Sequence, residues 1–207
     1  MKITTSRVIS LVTVSTSLIA LILVLKKPLP VAQHQAPAAV AENAKSFDQK
    51  MADFQQATQS SNSSGTTPVL YSDSSKPEMH ITSDEASAVL AQSIGTAGEL
   101  KPDSNVGNGA VIKDEQVSFE GDVVHGQFLA EIAGKDVWIT VSGHLGEKDG
   151  YATFDPTEFK VGDLSVPVSL VNPPLQKKLA EQREALKLPD MVGGLKIENG
   201  ELVMQGR

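Results

Sequence analysis

Four histidines, His34, His80, His125 and His144, are the residues best suited by type to hold a metal or move a proton. If Gly134-Lys135 is a two-residue hairpin turn, the register carried back from it sets His125 opposite His144 on one sheet face. Glu147 would then be a third donor, and a metal centre needs at least three protein ligands. The bland alternative is a pair of surface histidines. The carboxylates group less well. Asp84-Glu85 reads as a helix start, Asp114-Glu115 as a turn, and Glu198 and Glu201 as the flanks of a hairpin, so none forms the buried pair that acid/base work needs. Serines are plentiful, yet no Gly-x-Ser-x-Gly elbow, phosphate-binding loop or dinucleotide fingerprint occurs. With no cysteine, disulfides, thiolate catalysis and thiolate zinc sites are excluded. The expectation is no cofactor, no metal and no enzyme.

The elements that would position these groups are hairpins. With Gly134-Lys135 as the turn, Ile132 faces Val137, Ala130 faces Ile139 and Phe128 faces Val141, all on one side. Gly162-Asp163 pairs Val161 with Leu164 and Phe159 with Val166, and Val168 and Leu170 would continue that face. Asn199-Gly200 pairs Ile197 with Leu202 and Leu195 with Met204, and Asp149-Gly150 brings Leu145 opposite Phe154. Asp155-Pro156 marks a bulge or break, because proline cannot donate to a ladder. A one-residue slip would invert each face, so their agreement predicts an antiparallel meander with one apolar and one polar side. Trp138 and Leu129 fall on the polar side, suited either to a partner or to packing under a neighbouring segment.

Helices must cover the apolar side. Ser83-Asp84-Glu85-Ala86 opens one, with Ser83 as cap, acids at the N-terminal dipole, and Gly95 and Gly98 at its end. Asn172 and Pro173 begin another, with Leu175, Leu179, Gln182 and Leu186 on one face and Pro189 at its end. The fold class expected is α+β: a curved antiparallel β-meander packed against one or two helices, preceded by a single N-terminal transmembrane helix.

That helix is Val8 to Leu25, an uncharged run between Lys2/Arg7 and Lys26/Lys27. At about 1.5 Å per residue it spans roughly 27 Å, near the ~30 Å hydrocarbon core. A cleaved signal peptide is the rival; its apolar region is shorter and a small-x-small site follows closely, whereas Lys26-Lys27-Pro28 follows here. Residues 1–27 therefore read as anchor, 28–78 as a linker with a short amphipathic helix near 47–57, and 79–207 as an extracytoplasmic α+β domain. In the linker helix Phe47, Met51 and Phe54 share a face that could pack on the domain or lie on the membrane. The first 27 residues hold four basic and no acidic residues, which leaves the rest with 14 basic and 25 acidic ones, a formal charge of −11. Such a domain is a poor partner for nucleic acid. The charge bias about the anchor favours a cytoplasmic N-terminus, with the domain outside a bacterial inner membrane.

Several segments carry a family likeness: His80-Ile81-Thr82-Ser83-Asp84-Glu85, then Phe159 to Pro167, then Leu188-Pro189-Asp190-Met191-Val192 followed by Leu195-Lys196-Ile197. With the anchor, they give a layout that resembles bacterial membrane-anchored proteins of the YpmS and LmeA kind, related in form to tubular lipid-binding (TULIP-like) domains. The resemblance covers about Ile81 to Met204. It implies a lipid or other apolar envelope molecule held between a curved sheet and its helix, and it supplies no catalytic residues. On this chain Phe128, Ile139, Val141, Phe159, Val166 and Leu179 would line that groove, unless they fill a closed core. The alternative is a structural or assembly protein that docks an envelope protein on Trp138 and Leu129.

Overall fold

A computed structural model describes residues 17, 19–62, 76–96, 111–132 and 134–207. The protein is α+β with two antiparallel sheets. Helix α1 is Pro37–Asn62, β1 is Glu78–Ile81 and α2 is Ser83–Thr96. The meander follows: β2 Val111–Glu120, β3 Val123–Ile132, β4 Lys135–Lys148, β5 Tyr151–Val161 and β6 Leu164–Ser165. Helix α3, Val168–Glu181, a 3-10 turn at Arg183–Leu186 and the hairpin β7 Val192–Glu198 and β8 Glu201–Gly206 complete it. One sheet has the order β1-β8-β7, the other β2-β3-β4-β5-β6.

The main core lies under α1. Val40, Ala44, Phe47, Met51, Phe54 and Thr58 recur every three or four residues, one stripe of a long helix. Phe54 is buried with Met79, Ile81, Val192 and Met204 of the three-stranded sheet, and Phe47, Met51, Leu195 and Leu202 pack around them. The helix expected near 47–57 is therefore longer, and it packs on a sheet. Its first turns carry the stripe on small residues, whose signal is weak in sequence; Ala44 is nonetheless 2% exposed.

Helix α2 is joined to α1 by a buried carboxylate. Glu85 accepts hydrogen bonds from Ser46 Oγ at 2.6 Å, Lys50 Nζ at 2.8 Å and the Thr82 backbone N–H at 3.0 Å. The Glu85 N–H donates back to Thr82 Oγ1, which completes a capping box with Thr82, not Ser83, as cap. Ser83 has another task. Its Oγ accepts the Phe119 N–H, while Ser87 Oγ accepts the Val117 N–H and donates to the Val117 carbonyl. Two serines one turn apart thus occupy the open edge of β2, the side of a sheet that otherwise invites foreign strands. This edge contact also explains why Asp114-Glu115, expected as a turn, lies inside a strand.

The hairpins keep the expected faces, with one change of register. Ile132 pairs with Lys135, so every β3–β4 partner moves by two residues: Phe128 meets Ile139 and Gly126 meets Val141. Gly134 takes φ +74° as the second turn residue instead of the first. A shift of two preserves which side chains share a face, so the apolar and polar sides survive. The Asp149-Gly150 and Asn199-Gly200 turns have positive φ at both positions, as a tight hairpin requires. The break expected at Asp155-Pro156 is a bulge in which Ser142 pairs with Glu158 and Gly143 with Pro156.

The covering helix starts earlier than expected. Val168 and Leu170 belong to α3 and do not continue the strand; Pro167 is the N-cap, and Pro173 and Pro174 lie within the helix, which ends at Glu181 ahead of Pro189. Both lie past the first turn, so each removes a backbone N–H that would otherwise bond the carbonyl four residues back. Most of the expected anchor falls outside the described residues. Residues 19–25 are helical, and among the described residues no helix is long and apolar enough to cross a membrane.

Candidate functional site

The apolar side of the meander is built from cross-strand pairs. Phe128 faces Ile139, and Val141 faces Phe159. Val166 joins them through its N–H, which donates to the Phe159 carbonyl at 2.9 Å. Phe128 can lie flat because a strand glycine makes room: a Cβ at Gly126 would stand 3.0 Å from the Phe128 ring. All five residues are half-buried, whereas Val117, Ala130 and Val137 on the same side are buried.

Helix α3 lies along β5, at one edge of this side. None of its residues is buried. Val171, Leu175 and Leu179 are half-buried, and Leu170 is 68% exposed. Polar contacts tether the helix at its edges. Gln176 Nε2 donates to the Phe154 carbonyl at 3.1 Å, and Arg183 lies 4.0 Å above the Tyr151 ring. Leu179 lines a cleft of about 230 Å³ with Phe154, Tyr151 and Leu186. It sits at the β4–β5 end, so the structure groups Phe128, Ile139, Val141, Phe159 and Val166 on one floor and places Leu179 at the far end of the lid. The larger clefts, of about 540 and 700 Å³, run instead along residues 27–40 beside β2.

Glu115 is the charged exception on the apolar floor, paired across to Phe128. Burial, then the neighbouring charge of Asp114, pushes its carboxyl above the ordinary range. Its position was missed in sequence because Asp114-Glu115 read as a turn.

The polar side is occupied by the chain itself. Gln127 is 2% exposed and Ser142 2%, so this face is buried more completely than the apolar floor. Gln127 Nε2 donates to Thr140 Oγ1 and to the Leu29 carbonyl, and the Ala32 N–H donates to Gln116 Oε1. Lys27 Nζ stands 5.3 Å over the Trp138 ring, and Leu129 pairs with Trp138. Residues 27–32, expected as spacer, therefore lie across the face that carries Trp138.

The histidines do not assemble. With the two-residue change of register His125 pairs with Ser142 and bonds its Oγ at 2.8 Å, while His144 pairs with Asp155. Glu147 Oε1 accepts the Gly150 N–H at 2.6 Å and so serves the turn. Among the described residues no group of three or more His, Asp or Glu could hold a metal ion. No protein-family model, curated protein or solved structure matches this chain.

Proposed function

We propose that this chain is a membrane-anchored binding module, held by Val8 to Leu25 in a bacterial inner membrane with its domain outside the cytoplasm. It takes a lipid or another apolar envelope molecule between the apolar side of the meander and α3. One observation carries the reading: Phe128, Ile139, Val141, Phe159 and Val166 share one sheet face and are only half-buried, and α3, which lies along β5, has no buried residue. A filled core would have driven these side chains together, since burying one of them fully contributes about 1.5–3 kcal/mol. An acyl chain laid along Phe128, Ile139, Val141, Phe159 and Val166 would complete the burial that α3 leaves unfinished. The resemblance to the YpmS and LmeA kind points the same way. The module works by binding, without chemistry of its own. A protein partner on Trp138 and Leu129 is the weaker alternative, because Lys27 would have to leave the Trp138 ring first.

The test is photocrosslinking of the full chain in its membrane with a clickable, photoactivatable fatty acid, followed by peptide mapping. Adducts on β3, β5 or α3 support the groove. Adducts confined to the anchor would sink it.

A further inference from the structure

The end of the meander that carries the β3–β4 and β5–β6 turns differs from the opposite end. The helical residues before Lys26 stop against it. The Asp163 N–H donates to the Leu23 carbonyl at 2.8 Å, and Lys26 Nζ pairs with Asp163 Oδ2 at 2.6 Å. Gly162, at φ +59°, lies so close to the Leu23 and Val24 carbonyls that a side chain has no room there. The Gly162 N–H donates to the Trp138 carbonyl at 2.7 Å, which ties the same turn to β4. The end of the apolar run is thus fixed to the sheet by backbone contacts, not carried off on a free tether.

The charge and exposure of this end fit that attachment. Ile132 is 42% exposed. The acids of the two turns are matched by lysines: Glu131 and Asp136 by Lys113 at 2.6 and 2.7 Å, and Asp163 by Lys26. At the opposite end Glu120 and Asp122 approach histidines instead, His125 at 3.8 Å and His144 at 3.5 Å. Trp138 beside Lys27 is the amphipathic pairing found at headgroup level.

We propose that this end of the meander, with Ile132 foremost, rests on the bilayer surface, so that the apolar side of the sheet opens directly onto lipid. The inference rests on the anchor and the groove described under the proposed function and adds the route of entry. The bilayer is the occupant because the apolar run that ends at Leu25 is held against the Gly162-Asp163 turn, which sets this end at the depth of the headgroups.

The chain has no cysteine, so single probes can be placed at will. The full chain is reconstituted into phosphatidylcholine vesicles with an environment-sensitive fluorophore at Ile132→Cys or, as the distal control, Asp149→Cys. Quenching by lipids spin-labelled near the headgroup is the readout. The expected result is several-fold stronger quenching at position 132 than at 149, reduced when Asp163→Lys breaks the pair with Lys26. Equal, weak quenching at both positions in protein that resists carbonate extraction would overturn the surface contact while leaving the anchor intact. Protein lost to the carbonate wash would overturn the anchor, and this proposal with it. Strong quenching at 132 without fatty-acid adducts on the floor would keep the surface contact and remove the carrier reading.

Discussion

Helices α1 and α3 meet their sheets differently. Under α1, Phe54 is 4% exposed and Val192 0%. Along β5, α3 has no buried residue, and Phe159 and Val166 beside it are half-buried. Composition accounts for the difference. The α1 stripe is continuous from Val40 to Thr58, whereas α3 spends two positions of its middle turns on Pro173 and Pro174 and is tethered by Gln176.

The largest effect should come from breaking the closed layer. Phe54→Ala should cost about 3–5 kcal/mol in denaturant unfolding, the range for a buried phenylalanine. Leu179→Ala should cost about 1 kcal/mol or less, because that side chain has surrendered only part of its surface. Equal losses would mean that the α3 side is a filled core, and the groove would go with it.

Next is the joint between α1 and α2. Burial pushes the Glu85 carboxyl up, but hydrogen bonds from Lys50, Ser46 and Thr82 outweigh it and hold the group below its ordinary 4.5. A depressed carboxyl stabilises the fold fully above about 4.5 and loses that contribution as pH falls through its folded value. Thermal melts of Glu85→Ala should show a loss of about 1–3 kcal/mol at neutral pH, the usual penalty for donors left without their acceptor. The gap from the parent should narrow in acid. A constant gap would show that shape, and not charge, joins the two helices.

Gly162→Ala sharpens the comparison at the open layer. The left-handed backbone there costs a side chain about 1–2 kcal/mol, and the Leu23 carbonyl blocks it besides. Releasing the helix end relieves the clash but not the backbone cost, so protease access between Leu25 and Pro30 should rise while stability falls by no more than that ~1–2 kcal/mol. A larger drop with unchanged cleavage would show that the turn serves the sheet and not the anchor.

Much of this layout was legible, for reasons that differ by element. Asp149-Gly150 and Asn199-Gly200 fix their hairpins because both positions need positive φ, and few dipeptides supply it. Gly134 supplies it once, and one glycine fits either turn position, so the register slid by two while the faces held. The start of α3 was misplaced because Pro173 looks like a first-turn residue, although Pro167 already fills the cap. That Phe128, Ile139, Val141, Phe159 and Val166 share one face followed from alternation. What alternation could not show is that the polar side is the more deeply buried one. Gln127 is covered by Leu29, 98 residues away, a contact that no local pattern encodes.

Glu115 gives the smallest effect and the closest probe of how dry the floor is. Its carboxyl is pushed up by burial and then by Asp114, so the folded state disfavours the ionised form. The sign is opposite to that of Glu85: stability is fullest below the ordinary value and declines as pH rises through the shifted one. Glu115→Gln removes the titration and keeps the shape. Its melting temperature should match the parent near pH 4.5 and exceed it slightly at pH 8. An apolar ligand seated beside Phe128 would shed more water from Glu115 and widen that difference. If saturating fatty acid leaves it unchanged, the ligand is not lying on the floor where Glu115 and Phe128 meet.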